Sequence, residues 1–243
     1  MSRLLTFGCS FTNYHWSTWA DILAPEYDRF HNWGSPGGGN HYIFNSLMEA
    51  DQHHKFGPGD TVIVCWTNVM REDRYVDGRG WITLGNITTS KIYTKEFVAD
   101  LVTERGCAIR DLAMIKAAKV LLESRPGVNW KFLSMCPLQQ IDAYDAKTID
   151  CDDVFDLYRD VVDCVLPSYM EILGQNYWIT NKDQRLSYVE GHTDYHPTPL
   201  EHLKYIETVL PESVISQSTR NGIIAESQNL RKIGPTHPNV SRL

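Results

Sequence analysis

The chain lacks long apolar runs. No stretch of its 243 residues approaches the roughly 20 consecutive apolar positions that a helix needs to cross a bilayer. Met1-Ser2-Arg3 leads into a strand-like segment without the apolar region and small-residue cleavage site of a signal peptide, so a cytoplasmic protein with no membrane partner is expected. Basic runs are missing too: 23 Lys and Arg stand against 30 Asp and Glu, a formal net charge of −7. This argues against a general nucleic-acid binder, whose affinity depends on concentrated positive charge. The six cysteines, Cys9, Cys65, Cys107, Cys136, Cys151 and Cys164, include no CxxC pair and read as reduced, mostly buried small hydrophobes. The histidines, His53-His54 included, show no HExxH or comparable ligand spacing. No GxxxxGK[ST] run occurs, and Gly34 to Gly39 does not spell a dinucleotide fingerprint after the first strand. The expectation is therefore no metal and no cofactor. Internal repeats and low-complexity tracts are absent as well.

What is present is the composition of a folded domain, 42% hydrophobic and 22% charged, at a length that suits one α/β unit. Leu4-Leu5-Thr6-Phe7 reads as a buried first strand ending at Gly8-Cys9-Ser10-Phe11-Thr12. A helix is expected over Trp16 to Ala24, stopped by Pro25. A connection through Asp28 to Asn32 then leads to the glycine loop Gly34-Ser35-Pro36-Gly37-Gly38-Gly39. Asn40 to about His53 has helical spacing, with Asn40 as candidate N-cap. Thr61 to Trp66 is a continuous β-branched run, as in a strand covered on both faces. Residues 71–95, polar and glycine-rich, read as a long loop or small excursion, with a lid over the site as one role for it. A helix over Phe97 to Leu122 follows, with a possible break at Gly106, and then a strand at Trp130 to Met135. A further helix spans Asp152 to Leu173, capped by Asp152 or Asp153 and bent at Pro167. A short strand at Tyr177 to Ile179, a loop over Gly191 to Pro197 and a helix from Pro199 to about Leu210 complete the pattern. From Pro211 the chain is polar and poorly periodic. Alternating strands and helices predict a three-layer α/β/α sandwich with a mostly parallel, flavodoxin-like sheet. The domain is expected over residues 1–210, with 211–243 as a tail packed on it or extending from it.

In such sheets, functional groups gather at the carboxyl ends of the strands. Ser10, Asn68 and the glycine loop all fall there. Acyl transfer to a serine needs a nucleophile, a base, a group that orients the base, and donors for the oxyanion. Ser10 is the candidate nucleophile and His196, just before the last expected helix, the candidate base. Asp194 is the candidate orienting group. The oxyanion donors would be the N–H groups of Ser10 and Gly37 and the side-chain amide of Asn68. Each residue also has an ordinary reading: a serine at a turn, a capping histidine, an asparagine ending a strand.

Taken in order, these segments resemble the SGNH hydrolases, the GDSL esterase/lipase superfamily. Gly8-Cys9-Ser10 matches the family's first block with Cys9 in place of Asp. Asn32-Trp33-Gly34-Ser35-Pro36-Gly37 fits the second block, and Val64-Cys65-Trp66-Thr67-Asn68 keeps the Asn of the third while losing its Gly and second acid. Asp194-Tyr195-His196-Pro197 departs from the last block, where the family's Asp lies three residues before the His; Thr193 stands there in this chain. Either Asp194 reaches His196 through a differently shaped loop, or Ser10 and His196 act as a dyad with a backbone carbonyl orienting the ring. The resemblance implies an esterase acting through an acyl-enzyme on Ser10, on a short acyl group and, as one substrate class, carbohydrate O-acetyl esters. Tyr14, Trp16, Trp33, Trp66, Arg71, Tyr75 and Trp81 motivate that class, with Trp33, Trp66 and Arg71 as candidate substrate contacts. An acyltransferase on the same scaffold and a catalytically decayed glycan- or partner-binding module are the alternatives. A small-molecule or glycan ester is the expected partner, with oligomeric state left open.

Overall fold

The computed structural model describes residues 1–90, 92–142, 145–174, 187–189, 192–193 and 196–233. Its centre is a four-stranded sheet in the order β2-β1-β3-β6, formed by β1 (Arg3–Phe7), β2 (Arg29–Asn32), β3 (Asp60–Trp66) and β6 (Asn129–Ser134). Every pairing in it is parallel. A bridge from Phe132 to Val165 prolongs the sheet beyond β6. The strand order reverses between β1 and β3, which makes their carboxyl ends the switch point where α/β sheets form crevices.

Alternating side chains explain the layers. Leu5, Phe7, Val62, Val64, Trp66 and Phe132 face a core completed by α2 (Asn40–His54), α4 (Glu104–Glu123), α5 (Asp152–Leu157) and α6 (Arg159–Val162). Leu4, Ile63, Cys65 and Leu133 face the opposite core, completed by α1 (Trp19–Leu23), α7 (Tyr169–Leu173), α8 (Pro199–Val209) and α9 (Gln217–Ile233). Burial on both faces is why β3 reads as an unbroken apolar run. The mostly parallel sheet with helices on each face is the arrangement expected from the sequence.

Several local expectations are corrected. Asp28 to Asn32 is not a plain connection: β2 pairs with β1 from Arg29 to Asn32 as an edge strand, and its half-exposed polar side chains hide it in the sequence. Residues 71–95 are not mainly loop, because β4 (Arg71–Val76) and β5 (Gly80–Asn86) form an antiparallel hairpin. The long helix breaks at Val102 and Thr103 rather than at Gly106. Thr103 caps α4 by accepting from the Gly106 N–H at 3.0 Å. The helix foreseen over Asp152 to Leu173 is divided into α5, α6 and α7, and Cys151 rather than an Asp occupies the first cap position. Asn40 is the first residue of α2 and not its cap, which is Gly39. In the polar tail, α9 packs on α8 and buries Ile223, Ser227 and Leu230. In the expected 191–197 loop, β10 (His192–Thr193) pairs with β9 (Ser187–Val189). The strand foreseen at Tyr177 to Ile179 lies outside the described residues. Among those described, no helix is long and apolar enough to cross a membrane.

Candidate active site

Ser10 leaves β1 through a tight turn in which the N–H groups of Thr12 and Asn13 donate to the Cys9 carbonyl at 2.9 and 3.2 Å. Gly8 is required for that turn, since a Cβ there would stand 2.0 Å from Thr12 Oγ1 and 3.1 Å from the Cys65 carbonyl. The result is a nearly buried serine, 6% exposed, on the first turn after the strand. Its Oγ lies 2.9 Å from Nε2 of His196. The sequence separates these residues by 186 positions, and the fold makes them a hydrogen-bonded pair.

The imidazole is held by packing. Its ring stacks on Tyr14 with centroids 3.9 Å apart at 24°, and meets the Phe11 ring at 5.9 Å and 64°. The next residue, Pro197, is tied back by Trp16, whose indole N–H donates to the Pro197 carbonyl at 2.7 Å. Tyr14 and Trp16 thus serve the histidine loop from the nucleophile's own segment, a role that sequence reasoning missed. Its signal is two aromatics within six residues of Ser10, which the sequence reading takes as part of the motive for a carbohydrate substrate. Asp194, the expected orienting group, lies outside the described residues.

The glycine loop is fastened to the Ser10 turn. Ser35 N–H donates to the Gly8 carbonyl at 3.0 Å, Asn13 Nδ2 to the Gly34 carbonyl at 2.6 Å and Asn32 Nδ2 to the Thr12 carbonyl at 2.9 Å. Gly37 has φ +76°, and a Cβ on it would sit 2.9 Å from the Thr83 carbonyl. The hairpin supports the loop from behind: Thr83 Oγ1 donates to the Pro36 carbonyl at 2.7 Å and Gly85 N–H to the Gly37 carbonyl at 3.2 Å. Neither the Ser10 N–H nor the Gly37 N–H donates to another group among the described residues.

Asn68 follows β3 and is 2% exposed. Its Oδ1 accepts the Met70 N–H at 3.2 Å. That bond fixes which way the amide points, and the Nδ2 hydrogens have no acceptor among the described residues. The residue before it is anchored by Asn40, which accepts from Thr67 N–H at 2.8 Å and donates to the Thr67 carbonyl at 3.1 Å and to Asp111 Oδ2 at 2.7 Å. Asp111 is fully buried. Burial pushes its carboxyl up to about 6, with the adjoining Arg110 guanidinium and the Asn40 amide pulling the other way. Arg110 also pairs with Glu72 and donates to the Arg71 carbonyl at 2.9 Å. Asp73 accepts the N–H groups of Gly39 and Tyr42 at 2.9 Å each, closing the start of α2; burial raises its carboxyl above the usual range. This polar framework was not read from the sequence, because its members look like ordinary charged residues.

The structure therefore brings Ser10, Gly37, Asn68 and His196 to one edge of the sheet. It does not bring the two tryptophans there. Trp66 is wholly buried with its ring edge-on to Phe132, and Trp33 stacks on Phe7 and meets His54, so both belong to the core beside α2. They are removed from the substrate contacts. Arg71 is half-buried and stays beside the glycine loop, donating to the Gly38 carbonyl at 3.0 Å. Tyr75 is exposed, and Trp81 clusters with His41, Tyr42 and Tyr75 on the outside of the hairpin. No group of three or more potential metal ligands occurs among the described residues.

No protein-family model matches this sequence, and no curated protein does. Among solved structures, the chain is similar to TesA at a TM-score of 0.46 and 15% identity, covering 86% of this chain and 99% of that one. It is also similar to a member of the lipolytic protein G-D-S-L family from Veillonella parvula, at a TM-score of 0.42 and 11% identity over 88% of this chain and 100% of the other. The third is the psychrotrophic esterase EstA from Pseudoalteromonas sp., at a TM-score of 0.45 and 10% identity over 87% and 98% of the two chains.

Proposed function

We propose that this protein is a serine ester hydrolase of the SGNH type that cleaves a short acyl ester through an acyl-enzyme on Ser10. The observation that carries this reading is the 2.9 Å contact of Ser10 Oγ with His196 Nε2 at the switch point of the sheet. A serine hydroxyl is a weak nucleophile, and a neutral imidazole at hydrogen-bond distance takes its proton as the oxygen attacks the ester carbonyl. Negative charge then develops on the carbonyl oxygen. The N–H groups of Ser10 and Gly37 and the Asn68 amide are the donors for it, and rigid donors gain from having no reorganisation left to undergo. As the tetrahedral adduct collapses, His196 returns the proton to the leaving alcohol. A water activated by the same imidazole then attacks the acyl-Ser10 carbonyl and frees the acid. Asp194 is the proposed orienting group for the ring.

The near-burial of Ser10, 6% exposed, beside an imidazole packed on Tyr14 and Phe11, suits a short acyl group; a carbohydrate O-acetyl ester is one such substrate. Ser10→Ala is expected to abolish hydrolysis of p-nitrophenyl acetate, and turnover retained in that variant contradicts the assignment. Turnover measured with and without added acceptor sugar separates hydrolysis from acyl transfer.

A further inference from the structure

Most arginines among the described residues are matched by acids. Arg3 pairs with Asp60, Arg105 with Asp153, Arg110 with Glu72 and Asp111, and Arg125 with Asp51. Arg71 differs. It is half-buried at the carboxyl edge of the sheet, and its partners are the Gly38 carbonyl at 3.0 Å and the Met135 thioether at 3.4 Å, with no carboxylate paired to it among the described residues. Its chain neighbours are committed elsewhere: Glu72 to Arg110 and Arg74, and Asp73 to the amides of Gly39 and Tyr42, although Asp73 lies near enough to feel the charge.

A guanidinium carries five N–H donors, and among the described residues two are engaged here, one of them by a sulfur that accepts weakly. Withdrawing a cation from water without an anion to receive it is unfavourable, so a fold that keeps it there leaves a place for an anion. The guanidinium spans the interval between Gly38, beside the oxyanion donor Gly37, and Met135, whose N–H donates to the Trp66 carbonyl at 2.8 Å just before Asn68. It is therefore on the oxyanion side of Ser10. His196 stands on the other side, against Tyr14 and Phe11. Since the leaving alcohol must face the imidazole that protonates it, the acyl portion rather than the alcohol is the part of the ester left for the Arg71 side.

Resting on the hydrolase reading above, we propose that Arg71 receives a carboxylate on the acyl portion of the substrate, so that the preferred esters are half-esters of short dicarboxylic acids. Charge-assisted, bidentate pairing of guanidinium with carboxylate is strong and selective.

The test compares p-nitrophenyl hydrogen glutarate with p-nitrophenyl valerate, of equal acyl length, after subtraction of uncatalysed hydrolysis. Wild type is expected to favour the glutarate in kcat/KM by roughly tenfold to a hundredfold, as one charge-assisted pair allows. Arg71→Gln keeps a donor for the Gly38 carbonyl and is expected to bring the ratio near one, whereas Arg71→Lys retains part of it. An equal ratio in wild type and Arg71→Gln overturns the proposal. An Arg71-dependent preference for p-acetoxybenzoate over p-acetoxybenzamide overturns the acyl-side placement. Binding of the unhydrolysable glutaranilic acid and valeranilide, measured by calorimetry, separates the two readings. No turnover on any ester together with Arg71-dependent binding of glutaranilic acid contradicts the hydrolase and retains the carboxylate site. Turnover without such binding contradicts the site alone.

Discussion

In the proposed reaction the Ser10 hydroxyl is served by an imidazole 2.9 Å away and by amides that no other group among the described residues uses. Asn68 is the clearest single test of the oxyanion donors, because its Oδ1 is held by the Met70 N–H and only its Nδ2 remains for substrate. Asn68→Ala is expected to lower kcat by roughly a hundredfold to a thousandfold with KM changed only a few-fold, the pattern of a donor that acts in the transition state. Equal losses in KM and none in kcat would instead mark Asn68 as a ground-state contact. Asp194→Asn is expected to reduce kcat by less than Ser10→Ala does, read on the same ester. At this scale the sequence was informative about residues that carry reactive groups and silent about those that hold them. Ser10, Gly37, Asn68 and His196 stand out because hydroxyl, glycine, amide and imidazole follow recognisable strand and loop patterns. Trp66 was misplaced since an aromatic beside a site residue looks the same whether it faces the pocket or the core; the alternation of β3 puts Cys65 and Trp66 on opposite faces of the sheet.

The elements explain how distant segments hold these groups still. The hairpin was illegible because Arg71-Glu72-Asp73-Arg74 carries charge on both faces, and the partners Arg110, Arg74, Gly39 and Tyr42 make the burial of Glu72 and Asp73 tolerable. Its function is to back the glycine loop. Gly37→Ala, which combines φ +76° with a Cβ 2.9 Å from the Thr83 carbonyl, is expected to cost about 1–3 kcal/mol and to depress kcat by moving the Gly37 N–H. Chemical denaturation and ester turnover measured side by side read the two effects, and a variant with unaltered stability and rate contradicts the strained position. Asn40 is the corresponding strut between α2 and the end of β3. Asn40→Ala leaves the Thr67 N–H and carbonyl without their partner and takes the amide from Asp111 Oδ2, while Arg110 stays on Oδ1, a loss of about 1–3 kcal/mol for each buried group left unsatisfied. The edge strand β2 and the helix α9 were missed for a related reason, since each buries little of its own surface and their pairing with β1 and α8 is invisible in local periodicity.

At the scale of the whole molecule, the alternation of strands and helices was enough to foresee the layered sheet, because β1, β3 and β6 are apolar on both faces and leave few other arrangements. The same architecture links stability to pH. His202 is wholly buried between the cores of α7 and α8, with Nδ1 2.7 Å from the Tyr169 hydroxyl, and burial lowers its pKa to about 3. Its folded pKa lies below the unfolded value near 6.5, so the unfolded chain takes up the proton first as pH falls. The stabilisation is complete above about pH 6.5 and is lost progressively toward pH 3, at up to about 1.4 kcal/mol per pH unit. His202→Gln is expected to show a shallower loss over that window in denaturant titrations, and an identical slope contradicts the buried neutral imidazole. Above all, the fold gathers residues 10, 37, 68 and 196 at one switch point, and the claim that this gathering is a catalytic centre has a direct chemical consequence. Intact-protein and peptide mass spectrometry after exposure to a fluorophosphonate should show one covalent adduct per chain, located on Ser10, absent in Ser10→Ala and much slower in His196→Ala. An unmodified protein, or an adduct on any other residue, contradicts the account.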